Sequence, residues 1–79
     1  MSDIGTWDLE VDARGLLCPL PVLRARKKLL SMHQGQTLRL LATDPAAIVD
    51  VPHFCHEAGH SLIGTVETSD ATVYLIRRG

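Results

Sequence analysis

Apolar and acidic residues alternate over Trp7-Asp8-Leu9-Glu10-Val11-Asp12, the period of a strand with one wet face. The residues before it, 1–6, read as a frayed tail. Ala13 to Leu17 reads as a loop, with Gly15 available for a backbone angle that side chains resist. The period then changes. From Pro19 to about Met32, Val22, Ala25 and Leu29, with Leu23, Arg26 and Leu30, recur at the three- and four-residue spacings of an amphipathic helix. Arg24, Lys27 and Lys28 fall on another side of it. Gly35 ends this element, and Thr37–Ala42 (T-L-R-L-L-A) is apolar enough for an interior strand.

Thr43-Asp44-Pro45 marks a second helix start, a capping residue ahead of a proline. Ile48, Val51, Cys55 and Ala58 are expected on one face of that helix. Pro52 should kink it or divide it into two short pieces, with Asp50 able to cap the second. Gly59 is the stop signal. Ser61–Thr68 and Ala71–Arg77 then form a hairpin around Ser69-Asp70. The order β-α-β-α-β-β predicts an α+β, two-layer sandwich. Both helices should cover one face of a four-stranded mixed sheet, because a chain of this length cannot cover two.

Composition narrows the classes. The chain has 79 residues, enough for one domain over 1–79 with a thin core. Trp7, Phe54 and Tyr74 are its only aromatics, so aliphatic side chains must fill the interior. A net charge of −1 gives no case for direct nucleic-acid or membrane binding. Cys18 and Cys55 do not make a secreted disulfide framework, and neither a charged-then-apolar leader nor a long apolar run is present. A cytoplasmic chain with reduced thiols is the expectation.

The chemistry concentrates at Cys18. Pro19 and Pro21 are tolerated in a first helical turn, where an N–H would have no partner anyway, so they place the helix start directly after the cysteine. A thiol at a helix N-terminus faces unpaired N–H groups and the positive end of the macrodipole, both of which favour thiolate. The basic run Arg24–Lys28 adds positive potential. The plain alternative is a small buried hydrophobe. Flanking prolines and a loop position favour the reactive reading.

His56-Glu57-Ala58-Gly59-His60 matches the H-E-x-x-H zinc pattern in letters. Gly59 should end the helix inside the motif and rotate His60 off the face of His56. A third ligand would have to come from His33, His53 or Cys55, and no second lobe is available to form a cleft. No metal site is expected. Cys55 lies on the apolar face and reads as core, with a resolving role only if it reaches the same end of the sheet as Cys18. Arg24, Lys27 and Lys28 read either as a solvated helix face or as a docking patch for an acidic partner. Asp44 reads first as a helix cap and second as a polar neighbour of the Cys18 loop.

Asp12, Gly15, Leu16, Cys18, Pro19 and Pro21 form a Cys-Pro-x-Pro motif behind an Asp-x-x-Gly-Leu loop. With the basic helix, Thr43-Asp44-Pro45-Ala46, Asp50-Val51-Pro52 and Gly59-His60, the chain resembles the TusA/SirA family of small sulfur carriers from about Leu9 to Arg78. The resemblance implies that Cys18 accepts a persulfide sulfur from a cysteine desulfurase or related donor and relays it to an acceptor protein. Relays of this kind lead to tRNA 2-thiouridine, molybdenum-cofactor synthesis or sulfur oxidation. It also implies that the carrier needs no cofactor of its own, the pyridoxal phosphate belonging to the desulfurase. Arg14 is a candidate to hold the charged persulfide. The alternative is a regulatory or partner-binding module of the same fold, in which the basic helix matters and sulfur transfer does not.

Overall fold

The computed structural model describes residues 6–79, so the expected tail lies almost wholly outside the described residues. Its elements are β1 (Leu9–Ala13), α1 (Leu20–Leu30), β2 (Thr37–Ala42), α2 (Ala47–Ala58), β3 (Ser61–Glu67) and β4 (Thr72–Arg77). The sheet order is β1-β2-β4-β3. β1 runs parallel to β2, whereas β4 is antiparallel to both β2 and β3. The sheet is therefore mixed, as the order of elements predicts.

Register decides which residues meet the helices. Val11 pairs with Leu40 and Ala13 with Ala42, while Leu38 and Leu40 pair with Ile76 and Tyr74. These side chains share one face, because alternate residues of a strand point the same way. Ala25 and Leu29 of α1 and Ala47, Val51 and Cys55 of α2 join them in a single buried cluster. Both helices thus lie on that face. On the opposite face Arg39 donates to Glu10 Oε2 at 2.8 Å, and its guanidinium carbon lies 4.7 Å from the centre of the Trp7 ring. A bulge between Leu62 and Gly64 shifts the register of β3.

The helices bury narrower stripes than the spacing suggests. In α1 the buried residues are Pro21, Ala25 and Leu29, and Leu23 and Leu30 are exposed, against expectation. They sit roughly half a turn from Ala25, and a helix resting on a sheet hides only one side. In α2 the buried line is Ala47, Val51 and Cys55, whereas Ile48 and Ala58 are exposed. Ile48 is on the flank turned away from α1, and Ala58 is the last helical residue.

Pro52 neither divides α2 nor makes Asp50 a cap, because Ala47–Ala58 is one helix. The proline removes the donor to the Ile48 carbonyl. Ile48 and Pro52 are both exposed, so that carbonyl is open to solvent and costs little. Gly59 closes the helix at φ 78°, in the left-handed region. No helix among the described residues is long and apolar enough to cross a membrane.

Candidate functional site

The C-terminal ends of β1 and β2 open on one side of the sheet, and the segment carrying Cys18 crosses it. Two side chains of the β2–α2 connection pin that segment. The Gly15 N–H donates to Thr43 Oγ1 at 2.9 Å, and the Cys18 N–H donates to Asp44 Oδ2 at 2.6 Å. Gly15 has φ 81°, a conformation that a side chain would strain. Asp44 also accepts the Ala46 N–H through Oδ1 at 3.1 Å, and its carbonyl accepts from Ala47. Ala46, not Asp44, is the cap position of α2, and it has no side-chain cap. One carboxylate therefore starts the second helix and fixes the backbone of the cysteine.

Pro19 is the N-cap of α1, Pro21 is its second residue, and the Cys18–Pro19 peptide bond is cis. Cys18 is exposed. It lies at a cavity of about 320 Å³ lined by Pro19 and Val22 of α1 and by Asp50, His53, Phe54 and Glu57 of α2. The α2 residues recur at spacings of three and four, forming a second helical stripe beside the buried one. Asp50 is the residue that sequence reasoning misplaced. Its carboxylate lines the same cavity as the Cys18 thiol. The stripe 50-53-54-57 is the sequence signal for it, masked by the break that Pro52 suggests.

This geometry reverses the expectation of a thiolate. The thiol pKa is raised from its ordinary value, first by the hydrogen bond to Asp50, then by partial desolvation and by the charges of Asp50 and Asp44. The helix N-terminus offers little in return. Two of its first positions are prolines without N–H groups, and the Leu20 N–H already donates to the Leu17 carbonyl at 2.8 Å. The prolines that locate the helix start also remove the donors that would stabilise a thiolate.

The other candidate residues separate from this centre. Arg14 donates from Nε and Nη2 to Asp12 at 2.9 and 2.8 Å, and from Nη1 to Asp70 at 2.8 Å. Its guanidinium ties the β3–β4 turn to the end of β1 and does not line the Cys18 cavity. Arg24, Lys27, Lys28 and Ser31 line a separate groove of about 660 Å³ against Val11 and Asp12 of the edge strand β1. Cys55 is buried, and burial pushes its thiol up to about 11. His60 lies beyond the end of α2. Its Nδ1 accepts the Gly79 N–H at 2.9 Å, and its ring centre is 5.7 Å from that of Phe54. His56 and His60 therefore do not share a helical face.

Known proteins match this arrangement. The family model described as "Sulfurtransferase TusA" matches residues 9–78. The sulfur carrier protein TusA of Allochromatium vinosum is 42% identical over 72 residues, covering 91% of this chain and 95% of that one. A crystal structure of a SirA-like protein from Desulfitobacterium hafniense superimposes with a TM-score of 0.75 at 21% identity. It covers 89% of this chain and 95% of its own, a likeness of fold. A family match that runs from the first residue of β1 to the residue after β4 takes in the whole sheet, both helices and the exposed Cys18 between them, and the chain belongs to the TusA family of sulfur carriers.

Proposed function

We propose that the protein, acting as one unit over residues 1–79, carries sulfane sulfur as a persulfide on Cys18. The donor is a cysteine desulfurase or a related persulfide enzyme, and the recipient is an acceptor protein in a cytoplasmic pathway such as tRNA thiolation, molybdenum-cofactor synthesis or sulfur oxidation. The observation that carries this reading is the contrast between the two thiols. Cys18 is exposed at the mouth of a cavity, on a segment held at both ends by side chains of another loop, whereas Cys55 is buried.

In the transfer, the Cys18 sulfur attacks the outer sulfur of the donor persulfide. The donor S–S bond breaks, and the donor cysteine leaves as a thiolate. The second transfer repeats this with the acceptor thiol as nucleophile and Cys18 as leaving group. Neither step changes the total oxidation state, so the carrier needs no cofactor. Exposed Leu17 and Leu20 flank Cys18 in the chain and offer apolar surface to a docking partner. The groove of Arg24, Lys27 and Lys28 favours a partner with an acidic surface.

The test is intact mass after incubation with a cysteine desulfurase and cysteine. Wild type and Cys55→Ser should gain one sulfur atom, and Cys18→Ser should gain none. Equal uptake by Cys18→Ser would overturn the proposal and leave the module that binds partners without carrying sulfur as the reading.

A further inference from the structure

We infer that Asp50 is a positioning residue for Cys18, its carboxylate sharing the cavity with the thiol and keeping the proton on the exposed sulfur between transfers. This rests on the carrier function proposed above and concerns the control of the same site.

The charges around the sulfur are lopsided. From the β2–α2 connection Asp44 faces it, bonded to the Cys18 N–H. From α2 come Asp50, His53 and Glu57. From α1 the cavity receives only Pro19 and Val22, while Arg24, Lys27 and Lys28 line the groove on the β1 side. Asp50 lines the same cavity as the sulfur, and of the surrounding groups it does most to keep the thiol protonated. Ionising Cys18 would set a thiolate among the carboxylates of Asp50 and Asp44.

An exposed cysteine without this restraint would be open to oxidants and to disulfide exchange, both of which act through the thiolate. During loading, the S–H proton passes to Asp50 as the new S–S bond forms, and from Asp50 to the donor thiolate that leaves. The step is balanced, with one S–S bond made, one broken and one proton moved. Once loaded, the terminal sulfur is more acidic than a thiol, and its anion lies near the same carboxylates. Their repulsion raises its energy and favours handing the sulfur on.

The experiment is the pH profile of Cys18 alkylation by iodoacetamide in wild type, Asp50→Asn and Asp50→Glu, with no sulfur donor present. Cys55 does not interfere at moderate pH, since it is buried and its thiol stands at about 11. The Asp50→Asn midpoint should move to lower pH. The rate at pH 7 should rise about threefold for each pKa unit regained, a tenfold gain in thiolate less the nucleophilicity it loses. Asp50→Glu, which keeps the charge, should stay close to wild type. An unchanged or raised midpoint in Asp50→Asn overturns the inference. Should that variant fail to fold, the Cys18 Cβ chemical shift of wild type titrates the thiol directly, and a midpoint at or below that of an ordinary cysteine overturns it equally. Alkylation needs no sulfur. A shifted profile in a protein that takes up no sulfur would overturn the carrier function and support the role of Asp50.

Discussion

Cys18 and Asp50 show how a reactive residue is set by its neighbours more than by its position on a helix. The macrodipole argument predicts a thiolate, yet two carboxylates outweigh a helix end at which Pro19 and Pro21 have no N–H and the Leu20 N–H is already bonded. The same local accounting applies at Asp12. Its carboxylate accepts from the Arg14 Nε, Nη2 and backbone N–H, which lowers its pKa to about 2. Because the folded value lies below the unfolded one, the pair contributes above pH ~4, and its contribution is lost as pH falls towards 2. Carbon-detected titration of Asp12 should show the depressed midpoint, and Arg14→Gln should return it to the ordinary carboxylate range. A wild-type midpoint near 4 would remove the Arg14 brace from the account. Cys18 and Asp44 meet in the structure, and Gly15 lies in the same pinned segment, a grouping legible because prolines, a glycine and a capping residue announce themselves in sequence. Asp50 was not. Its role depends on α2 lying across the end of α1, a tertiary fact that local spacing does not contain.

Among the elements, α1 carries two separate surfaces. Its N-terminal end meets Cys18 and the α2 stripe, and its basic side forms a groove with the edge strand β1. Edge strands carry unpaired backbone groups, so a groove beside one suits a partner segment in extended form. Reversing Arg24, Lys27 and Lys28 to Glu should slow sulfur uptake from a desulfurase at low salt while leaving the circular dichroism spectrum unchanged. Equal rates in variant and wild type at low salt would dismiss the docking role, since steering by exposed charge is strongest there. Element types followed from periodicity, and β2 matched residue for residue. The errors were at the faces. Leu23, Leu30 and Ile48 fit a helical apolar stripe, but a helix on one side of a sheet buries only about three rows. Pro52 reads as a break in sequence because a proline costs a hydrogen bond, yet on the exposed side of α2 that loss is tolerated.

At the scale of the molecule, a thin aliphatic core fixes the relation between the two loops that make the site. Leu38 and Leu40 of β2 and Tyr74 and Ile76 of β4 are almost wholly buried, directly beneath both helices. Truncating Leu40 to Ala should cost about 2–5 kcal/mol, through lost burial and the cavity left behind. That is a large share of the total stability expected of so small a domain. Urea titration should show the lower midpoint, and a loss under about 1 kcal/mol would mean that the layer repacks around the gap. The fold class followed from element order and chain length alone. The strand order, with β4 between β2 and β3, is set by tertiary pairing that element order leaves open. The most direct test of the whole account is where the sulfur sits. After loading by a cysteine desulfurase, the protein is alkylated, digested and read by tandem mass spectrometry. The account predicts one added sulfur on the peptide that contains Cys18 and none on the peptide that contains Cys55. Sulfur found on Cys55, or uptake undiminished in Cys18→Ser, would contradict it.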